Sequence, residues 1–165
     1  MLSRHVFWIA AVFACAIAPA SAENRLGIWT GMSADQVTAA LKSRCPDLRI
    51  AGGDERTITC RFGETEITAT TTTKNRIYYV AWSEPSDDEV TGYSKRIAGE
   101  LGLSGPGEDC PFYGYELRCW HASDGATLYT GERDSRKRYV TYVVSDKVKE
   151  DDDGPSGEAP TTPEE

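Results

Sequence analysis

The chain of 165 residues is short of the groups on which enzymatic chemistry is usually built. Histidine occurs at two positions, His5 and His121, and only the second lies outside the N-terminal apolar segment. The five cysteines contain no C-x-x-C, so the spacing of a zinc site is missing. There is no G-x-S-x-G elbow and no S-x-x-K pair to activate a serine. These absences leave no metal and no cofactor to expect. Basic residues are outnumbered, 18 against 26 acidic ones, for a formal net charge of −8. Nucleic acid calls for a basic footprint, so this balance argues against it as a partner. Long apolar runs are lacking too: past residue 22 nothing approaches the roughly 20 apolar residues a membrane-spanning helix needs.

The N-terminus is where apolar residues do concentrate. Arg4, the apolar stretch 6–18 and Ala20-Ser21-Ala22 have the order of a secretory signal peptide over residues 1–22, with cleavage after Ala22. A rival reading is a lipoprotein signal at Val12-Phe13-Ala14-Cys15, with the lipid on Cys15, although Phe13 is bulkier than the small residues such a site uses. Either way the chain is expected to be exported, to the periplasm or the medium. Cleavage after Ala22 leaves Cys45, Cys60, Cys110 and Cys119. An even number in an oxidising compartment predicts disulfides.

Two phrases divide what remains. Ser33-Ala34-Asp35-Gln36-Val37-Thr38 and Ser86-Asp87-Asp88-Glu89-Val90-Thr91 agree at four of six positions. Each predicts a helix start: a serine cap, a Gln or Glu three residues on to complete a capping box, then an apolar stripe. The stripes are Val37, Ala40 and Leu41 in one case and Val90, Tyr93, Ile97 and Leu101 in the other. Pro46 stops the first helix and Gly102, Gly105 and Pro106 the second. β-Branched and aromatic residues then predict strands at 57–62, 67–73 and 77–82, and again at 115–120, 126–131 and 139–145.

The expected fold is therefore α+β: two tandem helix-plus-antiparallel-sheet repeats, 23–84 and 85–149, joined edge to edge into one sheet. Crosslinks within a repeat would be Cys45–Cys60 and Cys110–Cys119. Residues 150–165, with seven acidic residues, no basic one and no aromatic, predict a disordered acidic tail.

The phrase Gly31-Met32-Ser33-Ala34-Asp35-Gln36-Val37 resembles the helix opening of the small envelope lipoproteins of the SmpA/BamE kind. With Cys45, Cys60 and the strand ending Tyr78-Tyr79-Val80-Ala81-Trp82, it is also similar to the secreted β-lactamase-inhibitor protein family, whose members double such a unit with one disulfide per copy. The second copy departs from the pattern, with Glu84-Pro85 in place of Gly-Met. The resemblance implies a fold and a binding role, and no particular target.

Candidate chemistry is sparse. His121 has no evident nucleophile or orienting carboxylate, and it reads as a strand-end histidine. The carboxylates Asp87, Asp88 and Glu89 open a helix, where they complement its dipole. Glu132 and Asp134 sit in a turn beside Arg133, Arg136, Lys137 and Arg138. The aromatic residues are more telling. Tyr78 and Trp82 in the first half, and Phe112, Tyr113, Tyr115 and Trp120 in the second, are the candidate binding anchors. The expected function is a non-catalytic, exported binding module of the bacterial envelope that engages another envelope or secreted protein through one sheet face. The alternatives are an envelope assembly or structural factor, lipidated at Cys15, and a small hydrolase using His121 or a carboxylate pair.

Overall fold

The computed structural model describes residues 26–134 and 138–154. Residues 1–22, expected to be a signal peptide, and residues 155–165 of the expected acidic tail lie outside the described residues. Helix α1 (Ala34–Lys42) is followed by β1 (Arg49–Gly52), β2 (Arg56–Phe62), β3 (Thr65–Thr71) and β4 (Ile77–Pro85). Helix α2 (Val90–Glu100) is followed by β5 (Glu108–Phe112), β6 (Tyr115–His121), β7 (Thr127–Asp134) and β8 (Arg138–Val144), and α3 (Asp146–Asp153) comes last. The strands form one antiparallel sheet in the order β1-β2-β3-β4-β8-β7-β6-β5. The two runs of strands thus meet at the centre, where Trp82 of β4 lies opposite Thr141 of β8.

Residues opposite one another share a face, so register assigns each strand position. One row across the sheet is Ile58, Ala69, Val80, Val143, Leu128 and Trp120, every one buried. Both α1 and α2 cover this face. Val37 and Leu41 of α1, and Tyr93 and Ile97 of α2 with Leu101 beyond it, join these residues in one apolar cluster, to which the N-terminal segment adds Leu26 and Ile28. Each aliphatic side chain so enclosed contributes about 1.5–3 kcal/mol.

The first helix forms as its sequence predicts. Ser33 Oγ accepts from the Gln36 N–H at 3.2 Å, and Gln36 Oε1 accepts from the Ser33 N–H at 2.8 Å. The second does not. β4 runs on through Pro85, so Ser86 falls in the turn, where its hydroxyl accepts from the Asp88 N–H at 3.2 Å. Glu89 becomes the cap residue and makes no side-chain cap bond. The shared phrase therefore carries a capping box in one place only.

Three elements were not expected. β1 is exposed along its whole length and lacks the alternation that marks a half-buried strand. β5 contains Pro111, which an edge strand tolerates and a central strand would not. α3 occupies Glu150–Asp153 of the segment expected to be disordered. Ser145 caps it, Asp152 and Asp153 anchor it to the β3–β4 turn, and Lys149 Nζ sits 4.6 Å from the Tyr78 ring centroid.

Both disulfides have the expected pairing, Cys45–Cys60 and Cys110–Cys119, with Cα separations of 5.7 and 5.8 Å. Their placements differ. Cys60 is on the helix-covered face, so the first bridge ties the exit of α1 to β2. Cys119 lies opposite Tyr129 on the other face, so the second bridge joins adjacent strands β5 and β6 instead of a helix exit to a strand. Among the described residues no helix is long and apolar enough to cross a membrane.

Candidate functional site

The helix-free face changes character at the β4–β8 seam. Across it run Thr59, Thr68 and Ala81, then Tyr142, Tyr129 and Cys119. The next row runs Thr57, Thr70 and Tyr79, then Val144, Thr127 and His121. Threonines are content against water. The tyrosines beyond the seam form a ridge, and the β5–β6 hairpin adds two further rings to it.

Phe112 stacks on Tyr129, with centroids 4.1 Å apart and planes 10° apart, and stands edge-on to Tyr142 at 5.2 Å. Tyr113 contacts Phe112 at 4.4 Å and Tyr142 at 6.0 Å, and Tyr79 continues the line 6.1 Å from Tyr142. Stacked and edge-on pairs at these separations are favourable beyond the area they bury. The hairpin tip explains how Tyr113 is presented. Phe112 pairs with Tyr115 around a two-residue turn, with φ of 49° at Tyr113 and 80° at Gly114. Both values are positive, as a type I′ turn requires, and glycine, asparagine or aspartate is the usual first residue. A tyrosine there is strained, and its side chain is 71 % exposed.

Burial pushes the Tyr79 phenol well above its ordinary pKa, and the phenols of Tyr142, Tyr113 and Tyr78 push it further. Burial does the same to Tyr129 and Tyr142. These groups stay neutral at physiological pH and offer hydroxyls at the rim of an apolar patch.

Of the six anchors read from sequence, Phe112, Tyr113 and Tyr115 fall on this face. Trp82 and Trp120 do not: they are 4 % and 5 % exposed, packed beneath the helices. Strand alternation turns both inward, and Trp120 Nε1 donates to the Gly105 carbonyl at 3.3 Å. Tyr78 stands at the edge of the patch, half-buried, with its ring 6.5 Å from that of Tyr79 and beside Lys149 of α3. Tyr129 and Tyr142 were missed, and Tyr79, present in the quoted strand, was not among the anchors. Their signal was present, since each directly adjoins a core residue (Val80, Leu128 and Val143) and so must face the other way.

A charged notch closes one end of the face, between the β2–β3 turn and the end of β7. Arg61 donates to Glu66, and Arg138 Nη2 donates to the Glu64 carbonyl and to Ser83 Oγ, each at 3.2 Å. The hydrogen bond from Arg61 holds the Glu66 carboxyl below its ordinary pKa, and the charges of Arg138 and Arg133 act in the same direction.

The residues considered for catalysis are dispersed. His121 is exposed, with Nδ1 3.1 Å from Thr127 Oγ1. It comes together with Glu108 and Cys119, but the Cys119 sulfur is committed to its disulfide, which leaves two side chains free to act as metal ligands. Asp88 is paired with Arg96 at 3.1 Å, while Glu132 and Asp134 occupy an irregular stretch of β7.

No family model matches the chain, and no characterised protein matches it in sequence. Among solved structures it is similar to a cysteine-rich secretory protein from Staphylococcus aureus, with a TM-score of 0.42 and 12 % identity over 85 % of this chain and 52 % of that one. The chain spans about half the length of that protein.

Proposed function

We propose that the protein is an exported, non-catalytic binding module of the bacterial envelope, built as two tandem helix-and-sheet copies, that holds another envelope or secreted protein against the helix-free face of its sheet. The observation that carries this reading is the presentation of Tyr113. A strained turn holds a largely exposed aromatic ring against Phe112 and Tyr142, which in turn contact Tyr129 and Tyr79. Backbone strain persists where the surrounding structure enforces it, and such places cluster at clamps and binding sites. Rigid amphipathic rings contribute contact area at low entropy cost, which is why Tyr is enriched in interface anchors. The two disulfides support an oxidising compartment.

The test is site-specific photo-crosslinking in the native host, from position 113 and, as a control, from Lys95 on the outer side of α2. A single defined adduct from 113 and none from 95 is the expected result. Against the purified partner so identified, Tyr113→Ala should weaken binding by about 2 kcal/mol with little change in thermal stability. Equal crosslinking from both positions would defeat the proposal.

A further inference from the structure

The notch at the arginine end of the face is a positive spot on a protein whose formal net charge is −8. It holds about 210 Å³ and is lined by Arg61, Arg133, Arg138, Glu64 and Glu66, so among the described residues its lining carries a single positive unit. The two outer arginines are held in place. Arg61 is fixed by Glu66, while Arg138 is fixed by a carbonyl and a hydroxyl, and its charge also acts on the Glu66 carboxyl. Arg133 is exposed and has no hydrogen bond or ion pair among the described residues. A shallow trough of about 200 Å³, lined by Glu66, Ala81, Ser83, Tyr115 and Tyr142 among others, leads from Arg133 to the aromatic ridge.

We propose that the notch takes one carboxylate of the protein partner, the Asp or Glu of an extended segment whose aromatic or apolar neighbour lies on the tyrosine ridge. This rests on the sheet-face reading above. The charge selects the ligand class. A dianionic phosphate would meet Glu64 and Glu66 in the lining, whereas one carboxylate matches the single positive unit of the described lining residues, and guanidinium pairs with it in two-pronged geometry. The distance selects the spacing. Arg138 and Tyr142 are four residues apart in β8, about 13 Å at strand rise, so the acid and the ridge-contacting residue should stand three or four positions apart in the bound segment.

The probe is a phage-displayed library of random seven-residue segments, selected on the complete disulfide-bonded protein. Enriched sequences should carry Asp or Glu three or four positions from an aromatic or large apolar residue. On Arg133→Gln their binding should fall about fivefold, and on Arg133→Glu selection should turn toward Lys and Arg. Among the described residues Arg133 makes no hydrogen bond or ion pair, so both variants should fold, and their melting curves check this. Acid enrichment that is absent, or that persists unchanged on Arg133→Gln, overturns the notch as a carboxylate site. So does displacement of the peptides by inorganic phosphate beyond that given by sodium chloride of equal ionic strength. If non-acidic sequences are selected and lose binding on Tyr142→Ala, the sheet-face reading survives without the notch. A library that yields nothing above background overturns both.

Discussion

Asp152, in the last turn of α3, accepts both prongs of the Arg76 guanidinium, at 2.8 Å from Nε and 2.6 Å from Nη2. The two residues stand at opposite ends of the β4–β8 seam in sequence, yet they bind the final helix to the turn that opens β4. Thr72 Oγ1 donates to the same carboxylate at 2.7 Å, and Asp153 accepts from the N–H and hydroxyl of Thr73. The Asp152 side chain is only 4 % exposed. The start of the acidic segment is therefore a fastening.

Asp152→Asn should loosen that fastening. It replaces a charge-assisted pair with neutral hydrogen bonds, for an expected loss of about 1–2 kcal/mol. Hydrogen exchange of the α3 amides is the sensitive readout: they should exchange faster while those of β2 and β7 are unchanged.

The same contact sets an acid limit. The hydrogen bond from Arg76, aided by that from Thr72, depresses the Asp152 carboxyl from 3.8 to about 2. Because the folded value lies below the unfolded one, the stabilisation is complete above the unfolded value and is lost as pH falls through the folded one. Docking of α3 should hold at about pH 5 and weaken between 3.8 and about 2. In Asp152→Asn this part of the pH dependence should vanish.

The disulfides should contribute unequally to local order and similarly to overall stability. Loops of this length restrict the unfolded chain by about 2–3 kcal/mol each. A Cys45→Ser/Cys60→Ser protein should lose protection at the exit of α1, whereas Cys110→Ser/Cys119→Ser should free the hairpin that carries Phe112 and Tyr113. Non-reducing peptide mapping and hydrogen exchange check both.

Gly107 supplies a packing test. Its φ is +70°, and a Cβ there would come within 2.6 Å of the Trp120 ring. Gly107→Ala should cost about 1–3 kcal/mol and shift tryptophan fluorescence. Gly31 also has a positive φ, +88°, but open space around it. Gly31→Ala should cost about 1 kcal/mol, with the indole signal unmoved.

Much of the fold was legible because local rules and packing agreed. Ser33 and Gln36 formed their capping box, six strands fell close to their expected places, and the cysteines paired within each half. What failed depended on partners distant in sequence. α3 is a run of charges with little apolar stripe, and it orders through Arg76 and Thr72 rather than through a buried face. Ser86 lost its capping role because β4 extended further to meet β8. The site was half legible for a related reason. Composition located the aromatics, but which of them share a face depends on register, and that moved Trp82 and Trp120 inside and brought Tyr129 and Tyr142 out beside Phe112.

The meeting of β4 with β8 also bears on how the protein is made. β4 is the longest strand among the described residues, at 9 residues, and it lies at the middle of the finished sheet. In a growing or threading chain it stands as a bare edge until residues 138–144 arrive to pair with it. Non-local pairing of this kind is slow, and an uncovered apolar edge is a template for any neighbouring strand. A product cut short before β8 is consequently not a working half. It is a sticky fragment, and the last strand to emerge decides whether the molecule closes its sheet or aggregates.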